Sequence, residues 1–359
     1  MEIILYKLIF TTAHSKLWTT SDTNTISKLK QDFIITYIDK APANFVFVCK
    51  KFYILTLIKE FSTNTYERST DTMKTITKTH NMFLTSWFAN KTKSFSNKLP
   101  YAYASIKIVK QPLEFRHIAG SANCSMKPLS TLLNEILQTF KPLLLKLWTE
   151  RLSIPGFTSP PLWMIKSSLD ITNRLKHING HMDEEEISNE TRMIQTFDVK
   201  TLYTRLPHTD LIDKISELLN DIASLNKSNP IAIGKKFNKF YITYGNSIDN
   251  KNRYEQVYNI SDITDILKYL VNNTYIKVAN NIYKQVIGIP MGTNAGVNIA
   301  DFYVVKYEFN FMLQLKLKNL FYCIIMFSRI MRYLDDIAAA DNIYFSKLLC
   351  TTRFKQLYQ

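Results

Sequence analysis

A chain of 359 residues, 46% hydrophobic and 13% aromatic, holds enough apolar material for a sizeable core, and its length suits two or three subdomains. Its formal net charge of +15 and pI near 9.4 describe partners, not fold. They point to polyphosphate ligands ahead of an acidic membrane surface, because no compact basic amphipathic helix stands out. The cysteines at 49, 124, 323 and 350 are scattered without CxxC spacing, which argues against a disulfide framework or a zinc site and reads as reduced intracellular thiols.

The opening "MEIILYKLIF" lacks a basic n-region and is interrupted by Glu2 and Lys7, so no signal peptide is read there. "ANFVFVCKKFYILTLIKEF" (43–61) begins strand-like and turns helical, and the Thr-, Ser-, Asn- and Lys-rich stretch 63–100 reads as an irregular connection. "AYASIKIVKQPLEFRHIAGS" (102–121) predicts two short basic strands around Gln111-Pro112. Residues 126–148 carry helical apolar spacing with a predicted break at Pro142. "HINGHMDEEEISNE" (177–190) is polar and reads as a linker; within it "DEEE" (183–186) is a solvated patch. His177 and His181 have a spacing that binds zinc on a helix, but Asn179 and Gly180 between them argue for a loop.

The remainder is more regular. "IQTFDV" (194–199) predicts a strand. A helix capped by Thr209 follows, with Leu211, Ile212, Ile215, Leu218, Leu219 and Ile222 at helical spacing. Ser261 is a candidate cap for a second helix bearing Ile263, Ile266, Leu267, Leu270 and Val271. "YIKV" and "IYKQVI" flank "ANN" as a hairpin, and "GIPMGTNAGVNIADFYVVKYEF" is a glycine-bounded turn running into a long helix. "LFYCIIMF" (320–327) is too short to span a bilayer and has the length of a buried strand. "CIIMFSRIMRYLDDIAAAD" predicts two strands around an Asp-Asp turn. The order predicts an α+β fold, with helices layered on an antiparallel sheet.

Asp198 ends one predicted strand, and Asp335 and Asp336 stand at a hairpin turn. Adjacent antiparallel strands would set Asp198 opposite Asp335. Carboxylates brought to one sheet edge repel unless a cation lies between them. Magnesium takes few carboxylates, several waters and a substrate phosphate, and paired ions about 3.5–4 Å apart support nucleotidyl transfer. Adjacent aspartates are also ordinary in hairpin turns, so "YLDD" alone leaves both readings open. No GxSxG and no P-loop are present.

The series "FDVKTLYT", "GIPMGTNAGVNIADFY" and "RYLDD" resembles the three palm motifs of reverse transcriptases, and its wording is closest to Penelope-like retroelements. "DKAPANFVFVCKKFYI" (39–54) and "IKIVK…FRHI" resemble that family's upstream segments, with Val109 where His is usual and His117 where Pro is usual. The resemblance covers roughly residues 37–349. It implies an RNA-directed DNA polymerase with a right-hand fold: an N-terminal extension (1–36), a fingers-like region with linker (37–190) and a palm (191–359). Only 23 residues follow Asp336, so the expectation is a C-terminally truncated copy without thumb or endonuclease.

By the same resemblance, Asp198 and Asp335 are metal ligands, Asp336 supports them, and the Val199 carbonyl is a further ligand. The ions are two Mg2+, with Mn2+ as a substitute. Tyr203 falls where these polymerases block a ribose 2′-hydroxyl; a core aromatic is its plainer reading. Pro290, Met291 and Gly292 form the turn that approaches nucleotide and template. Lys107, Lys110 and Arg116 grip the triphosphate, or else belong to a solvated basic strand pair. Partners are then an RNA template, a DNA primer and deoxynucleoside triphosphates, in an intracellular and, if active, nuclear setting, with DNA integration as the retrotransposon's purpose. An RNA-directed RNA polymerase and a nucleic-acid-binding relic are the competing readings.

Overall fold

The structure is a computed structural model that describes residues 20–88, 95–154, 160–184, 193–199, 202–226, 230–245 and 252–349. It divides into two units. One combines the described residues up to Lys127 with Asn273–Val286 and Pro290–Thr293; the other takes Pro128–Asn272, Ile287–Ile289 and the described residues from Asn294 on. The stretch from Pro128 to residue 184, read from sequence within the fingers-like region, clusters with the second unit.

In the first unit, helix α1 (Thr20–Asp32) leads into β1 (Phe33–Ile38) and β2 (Ala41–Cys49), which pair antiparallel. Helix α2 (Lys50–Phe61) follows, so the stretch 43–61 does switch from strand to helix. The segment predicted to be irregular instead carries β3 (Tyr66–Arg68) and α3 (Met73–Trp87). Thr72 caps α3 by accepting from the Thr75 amide, and Ile76 and Leu84 are buried on one face; polar composition concealed this pattern. Strands β4 (Tyr101–Lys107) and β5 (Glu114–Gly120) form the predicted hairpin, and β10 (Tyr275–Val278) and β11 (Asn281–Gln285) form another. The seven strands make one sheet in the order β2-β1-β4-β10-β11-β3 with β5 also on β4, mostly antiparallel but with parallel β1–β4 and β4–β10 pairings. Val46, Val48, Tyr53, Ala104 and Ile106 form a core where α2 covers this sheet.

The second unit begins with α4 (Lys127–Leu152), which runs through Pro142 without the expected break. An interior proline costs about 3 kcal/mol. Burial of Phe140, Leu143, Leu144, Leu147, Trp148 and Leu152 on either side outweighs it, at roughly 1.5–3 kcal/mol for each large apolar side chain. Helix α5 (Ser168–Glu184) occupies the first half of the predicted linker, and residues 185–192 lie outside the described residues. Asn179 and Gly180 are therefore helical, not in a loop.

Strand β6 (Ile194–Asp198) precedes α6 (His208–Ala223), whose six predicted apolar residues are all buried. Thr209 lies inside its first turn and is not the cap; Pro207 holds that position without a side-chain bond. A small sheet, unforeseen in the sequence, follows: β7 (Ile231–Lys236), β8 (Lys239–Tyr244) and β9 (Gln256–Tyr258), in the order β8-β7-β9. Helix α7 (Ile260–Asn272) buries its predicted face, but its cap is Asn259, not Ser261. Asn259 Oδ1 accepts from the Asp262 amide, and Asp262 Oδ2 accepts from the Asn259 amide, each at 2.9 Å.

Helix α8 (Gly296–Leu317) is buried around much of its circumference, as suits a central helix. The apolar run read as a strand is helix α9 (Phe321–Phe327), because Ile324, Met326 and Phe327 turn inward and Trp163 stacks on Phe327. Eight apolar residues do not separate the two periods. Strands β12 (Ile330–Tyr333) and β13 (Asp336–Ala340) then form the predicted hairpin, and the described chain closes with α10 (Ile343–Leu349), capped by Asn342. Among the described residues no helix is long and apolar enough to cross a membrane. Cys49, Cys124 and Cys323 are free thiols, and Cys350 lies outside the described residues.

One buried group in the first unit couples its stability to pH. His80 on α3 is 1% exposed, its Nδ1 lies 2.7 Å from Ser125 Oγ, and burial pushes its pKa down to about 4. Folded His80 stays neutral while the unfolded chain takes up a proton near the ordinary value of 6.5. Its contribution is therefore complete above 6.5 and declines as pH falls toward about 4. Denaturant midpoints measured across that window should fall for the wild type and flatten for His80→Gln; parallel pH profiles would refute the assignment.

Candidate functional site

The second unit contains a three-stranded antiparallel sheet in the order β12-β13-β6. Its register sets Asp336 opposite Asp198, followed by Ile337 opposite Phe197 and Ala338 opposite Thr196. This is one residue away from the pairing predicted in the sequence, which set Asp198 against Asp335. The reason is the turn: Tyr333 pairs with Asp336, so Leu334 and Asp335 are the two loop residues and Asp336 already opens β13. Directly paired residues on antiparallel strands share a face, so Asp198 and Asp336 do so. Asp335 is tied to the same sheet end through its carbonyl, which accepts from the Val199 amide at 2.9 Å. Asp198 and Asp336 are exposed and Asp335 is half-buried.

The hairpin turn is held from below. Leu334 adopts a left-handed φ of 56°, a costly conformation for a residue with a side chain. Its carbonyl accepts from Arg332 Nη1 at 3.1 Å. Arg332 is fully buried, and its guanidinium donates to Glu308 Oε1 at 2.6 Å and to Asp301 Oδ1 at 3.0 Å. Asp301 and Glu308 stand seven residues apart on α8, two turns along one face, so a single guanidinium reaches both. Lys141 Nζ lies 3.6 Å from Asp301 Oδ2 and balances the second carboxylate. The backbone of Arg332 is also fixed: its amide donates to the Trp163 carbonyl, and its carbonyl accepts from the Ile165 amide. The sequence reading missed this cluster. Its signal was the pair Asp301 and Glu308 within the apolar helix run, which demands a buried cation.

Tyr203 lies in the turn after β6, partly buried. Its phenol pKa is pushed up to about 12, first by burial and then by the carboxylates of Asp301 and Asp335. The hydroxyl is therefore neutral throughout the physiological range, beside the carboxylate end of the sheet. Gly288 packs on the same turn. It has φ 82°, and a Cβ there would collide with the Tyr203 carbonyl, which accepts from the Ile289 amide at 2.6 Å.

The other predicted residues belong to the first unit. Pro290 is buried, and the Met291 carbonyl accepts from the Ala119 amide at 2.8 Å. Gly292 has φ 109°, and a Cβ would meet the Ala119 carbonyl, so local packing alone accounts for this glycine. Lys107 and Arg116 lie on one face of the β4–β5 hairpin and are each paired with an acid, Lys107 with Glu114 and Arg116 with Asp39, both at 3.4 Å. Lys110 is exposed in the connecting turn. His117, where the resembling family usually has proline, is 3.5 Å from Glu60. Val109 is 87% exposed.

Among the described residues, no three or more His, Cys, Asp or Glu side chains are gathered into a metal cage. The donors at the sheet end are nevertheless hard oxygens, and those of Asp198 and Asp336 lie open to solvent. That suits a cation that keeps its waters and takes one or two protein carboxylates with a substrate phosphate, the preference of Mg2+.

No protein-family model and no curated protein matches this chain. Solved structures do. Apo telomerase from Candida tropicalis superposes with a TM-score of 0.53 at 10% identity, over 91% of this chain and 49% of that one. The Candida tropicalis enzyme in complex with a fragment of telomeric RNA gives 0.56 at 11% identity, covering 92% and 46%. Telomerase from Candida albicans with the corresponding RNA fragment gives 0.54 at 15% identity, covering 95% and 51%. The likeness shows a right-hand polymerase fold, and the chain spans about half the length of these structures.

The buried ion cluster makes a stability prediction. Removing one member of such a set strands its partners and costs about 3–5 kcal/mol. Arg332→Met should therefore lower the denaturation free energy by that amount, measured by urea unfolding, while Tyr333→Phe on the exposed side should change it by less than about 0.5 kcal/mol. Equal effects would remove Arg332 from its structural role.

Proposed function

We propose that this chain is the catalytic portion of an RNA-directed DNA polymerase of the reverse transcriptase type, from a Penelope-like retroelement. One observation carries the reading. In a right-hand polymerase fold, Asp198 and Asp336 pair across adjacent strands, and Asp335 stands in the turn between them and β12. The order of the palm motifs, "FDVK", "GIPMGTN" and "RYLDD", supports the same reading, and so does the likeness to telomerases solved with RNA.

In this reading Asp198 and Asp335 would hold the divalent cations, with Asp336 and the Val199 carbonyl in support. Bound Mg2+ supplies Lewis-acid stabilisation of the transferring phosphoryl group and of the attacking hydroxyl. The remaining work falls to the protein. Arg332 and the Val199 amide fix the backbone of the turn that carries Asp335, so that backbone is in place before reaction. Tyr203 presents a neutral ring beside Asp335, where a deoxyribose passes and a 2′-hydroxyl clashes. In the first unit, Lys107, Lys110 and Arg116 are the cations that the resemblance assigns to the triphosphate; Lys107 and Arg116 are paired there with Glu114 and Asp39, which phosphate oxygens would have to displace. The basic surface, at +15 overall, draws in template and primer.

Primer extension on an RNA template tests this directly. Wild type should incorporate deoxynucleotides only with Mg2+ or Mn2+. Asp335→Asn should reduce extension by at least about a hundredfold and leave binding to an RNA–DNA duplex within about twofold, because binding rests on phosphate neutralisation elsewhere. Extension by Asp335→Asn at the wild-type rate would sink the proposal; duplex binding without extension by the wild type would favour a nucleic-acid-binding protein without catalysis.

Sugar choice gives a second test. Tyr203→Ala should raise ribonucleotide incorporation relative to deoxynucleotide by about tenfold or more, read from competing extension reactions. Unchanged selectivity would make Tyr203 a core aromatic.

A further inference from the structure

The small β8-β7-β9 sheet has no part in the site above, and its two faces differ. One face carries Ile231, Ile233 and Tyr258, all at most 2% exposed, and is committed to the core. The register sends Ala232, Gly234, Lys236, Lys239, Tyr241 and Thr243 to the other face, where Ala232 and Thr243 are buried and the turn end, with Lys236, Lys239 and Tyr241, is exposed. Gly234 has a specific reason to be there: a Cβ would lie 2.6 Å from the ring of Tyr254, which lies across it. Tyr254 and Tyr241 lie with centroids 6.4 Å apart and planes 35° from parallel. The Arg253 guanidinium sits 5.6 Å from the Tyr254 ring, and Lys236 Nζ the same distance from Phe237.

Fold stability does not account for the tip. Phe237 and Asn238 both have positive φ, 48° and 61°, in the two-residue turn. Asparagine suits that conformation; phenylalanine does not, and its side chain is 78% exposed. A large apolar ring is thus held out in water, in a backbone conformation that disfavours it, between two lysines. The described residues 230–245 and 252–258 carry Lys235, Lys236, Lys239 and Arg253 against the single acid Glu255, whose carboxylate accepts from the Phe237 amide at 3.1 Å.

We propose that this face is a binding surface for single-stranded nucleic acid. Every base offers a π-face, and exposed rings interleaved with cations are what an unpaired strand needs: stacking for the bases and neutralisation for the phosphates. Phe237 and Tyr241 stack on unpaired bases; Lys236, Lys239 and Arg253 contact the backbone. A duplex hides its bases from such rings, so the surface discriminates against it. The surface is independent of the carboxylate site, and the proposal stands whether or not the chain polymerises.

The test uses the full chain and fluorescently labelled oligo(U) and oligo(dT), read by anisotropy against salt. The double variant Phe237→Ser, Tyr241→Ser should bind both strands about tenfold more weakly, at an unchanged salt slope and with unchanged affinity for a duplex. The double variant Lys236→Gln, Lys239→Gln should make the salt slope shallower by about 0.7 for each phosphate that is no longer neutralised. Phe237→Trp should keep wild-type affinity. Photo-cross-linking of 5-iodouridine oligonucleotides to wild type should label Phe237 or Tyr241, which decides the matter if the serine variant fails to fold. Cross-links confined to other segments, or a serine variant that binds like wild type, would overturn the proposal. So would a serine variant that loses affinity for phosphatidylserine vesicles alone, since the partner would then be a lipid surface.

Discussion

A buried guanidinium governs the architecture around the carboxylates. Arg332 cannot be solvated where it lies, so Glu308 and Asp301 must reach it, and Lys141 must offset the surplus negative charge. These requirements link the β12–β13 hairpin to α8 and α8 to α4. They also dictate the hairpin's shape, because Arg332 donates in addition to the Leu334 carbonyl of a strained turn. An apolar residue at 332 could fill the volume, but it would leave the turn without a donor beneath it. The ion cluster is best understood as a device for placing the chain beside it, with its net stabilisation secondary.

A related arrangement fastens α6 to α8. Tyr303 and Tyr307 both donate to Asp210 Oδ2 at 2.6 Å, and Lys306 donates to Asp221. Apolar burial on α6 determines which face turns inward, and these polar contacts set how far along α8 it sits. Between β6 and α6, the described residues from 202 on are closed by the Gly288 and Ile289 amides, which donate to the Leu206 and Tyr203 carbonyls.

Much of this was legible in the sequence where one face of an element is buried and the other is not. The six apolar positions of α6 and the five of α7 are examples, since a 3.6-residue period leaves one solution. The strand ending at Asp198 and the hairpin bearing Asp335 and Asp336 were equally plain. The register was not: whether a two-residue turn begins at Leu334 or one residue later is decided by a left-handed Leu334 and by Arg332 below it, and neither follows from local pattern. Pro142, Asn179 and Gly180 misled because local propensity yields to tertiary burial. Asn259 was overlooked because its cap is made jointly with Asp262, which reads as an ordinary helix residue. The β7–β9 sheet escaped notice because Gly234 and the lysines break its alternation. Those are the same residues that make its outer face unusual.

The seven-stranded sheet of the first unit has a temporal consequence. Its strands come from two distant stretches of chain: β5 ends at Gly120, and β10 does not begin until Tyr275. At the usual pace of translation, about 5–20 residues per second, the ribosome needs roughly ten to thirty seconds to bridge that interval. Throughout it β3 lacks β11, the strand it pairs with, and β4 lacks β10. Meanwhile the intervening residues emerge, most of which belong to the other unit. The nascent polypeptide therefore carries open hydrogen-bonding edges for a long period during its synthesis. Its yield in a cell should depend on chaperones that shield those edges, and on the spacing of ribosomes along the message, more than on the stability of the finished protein.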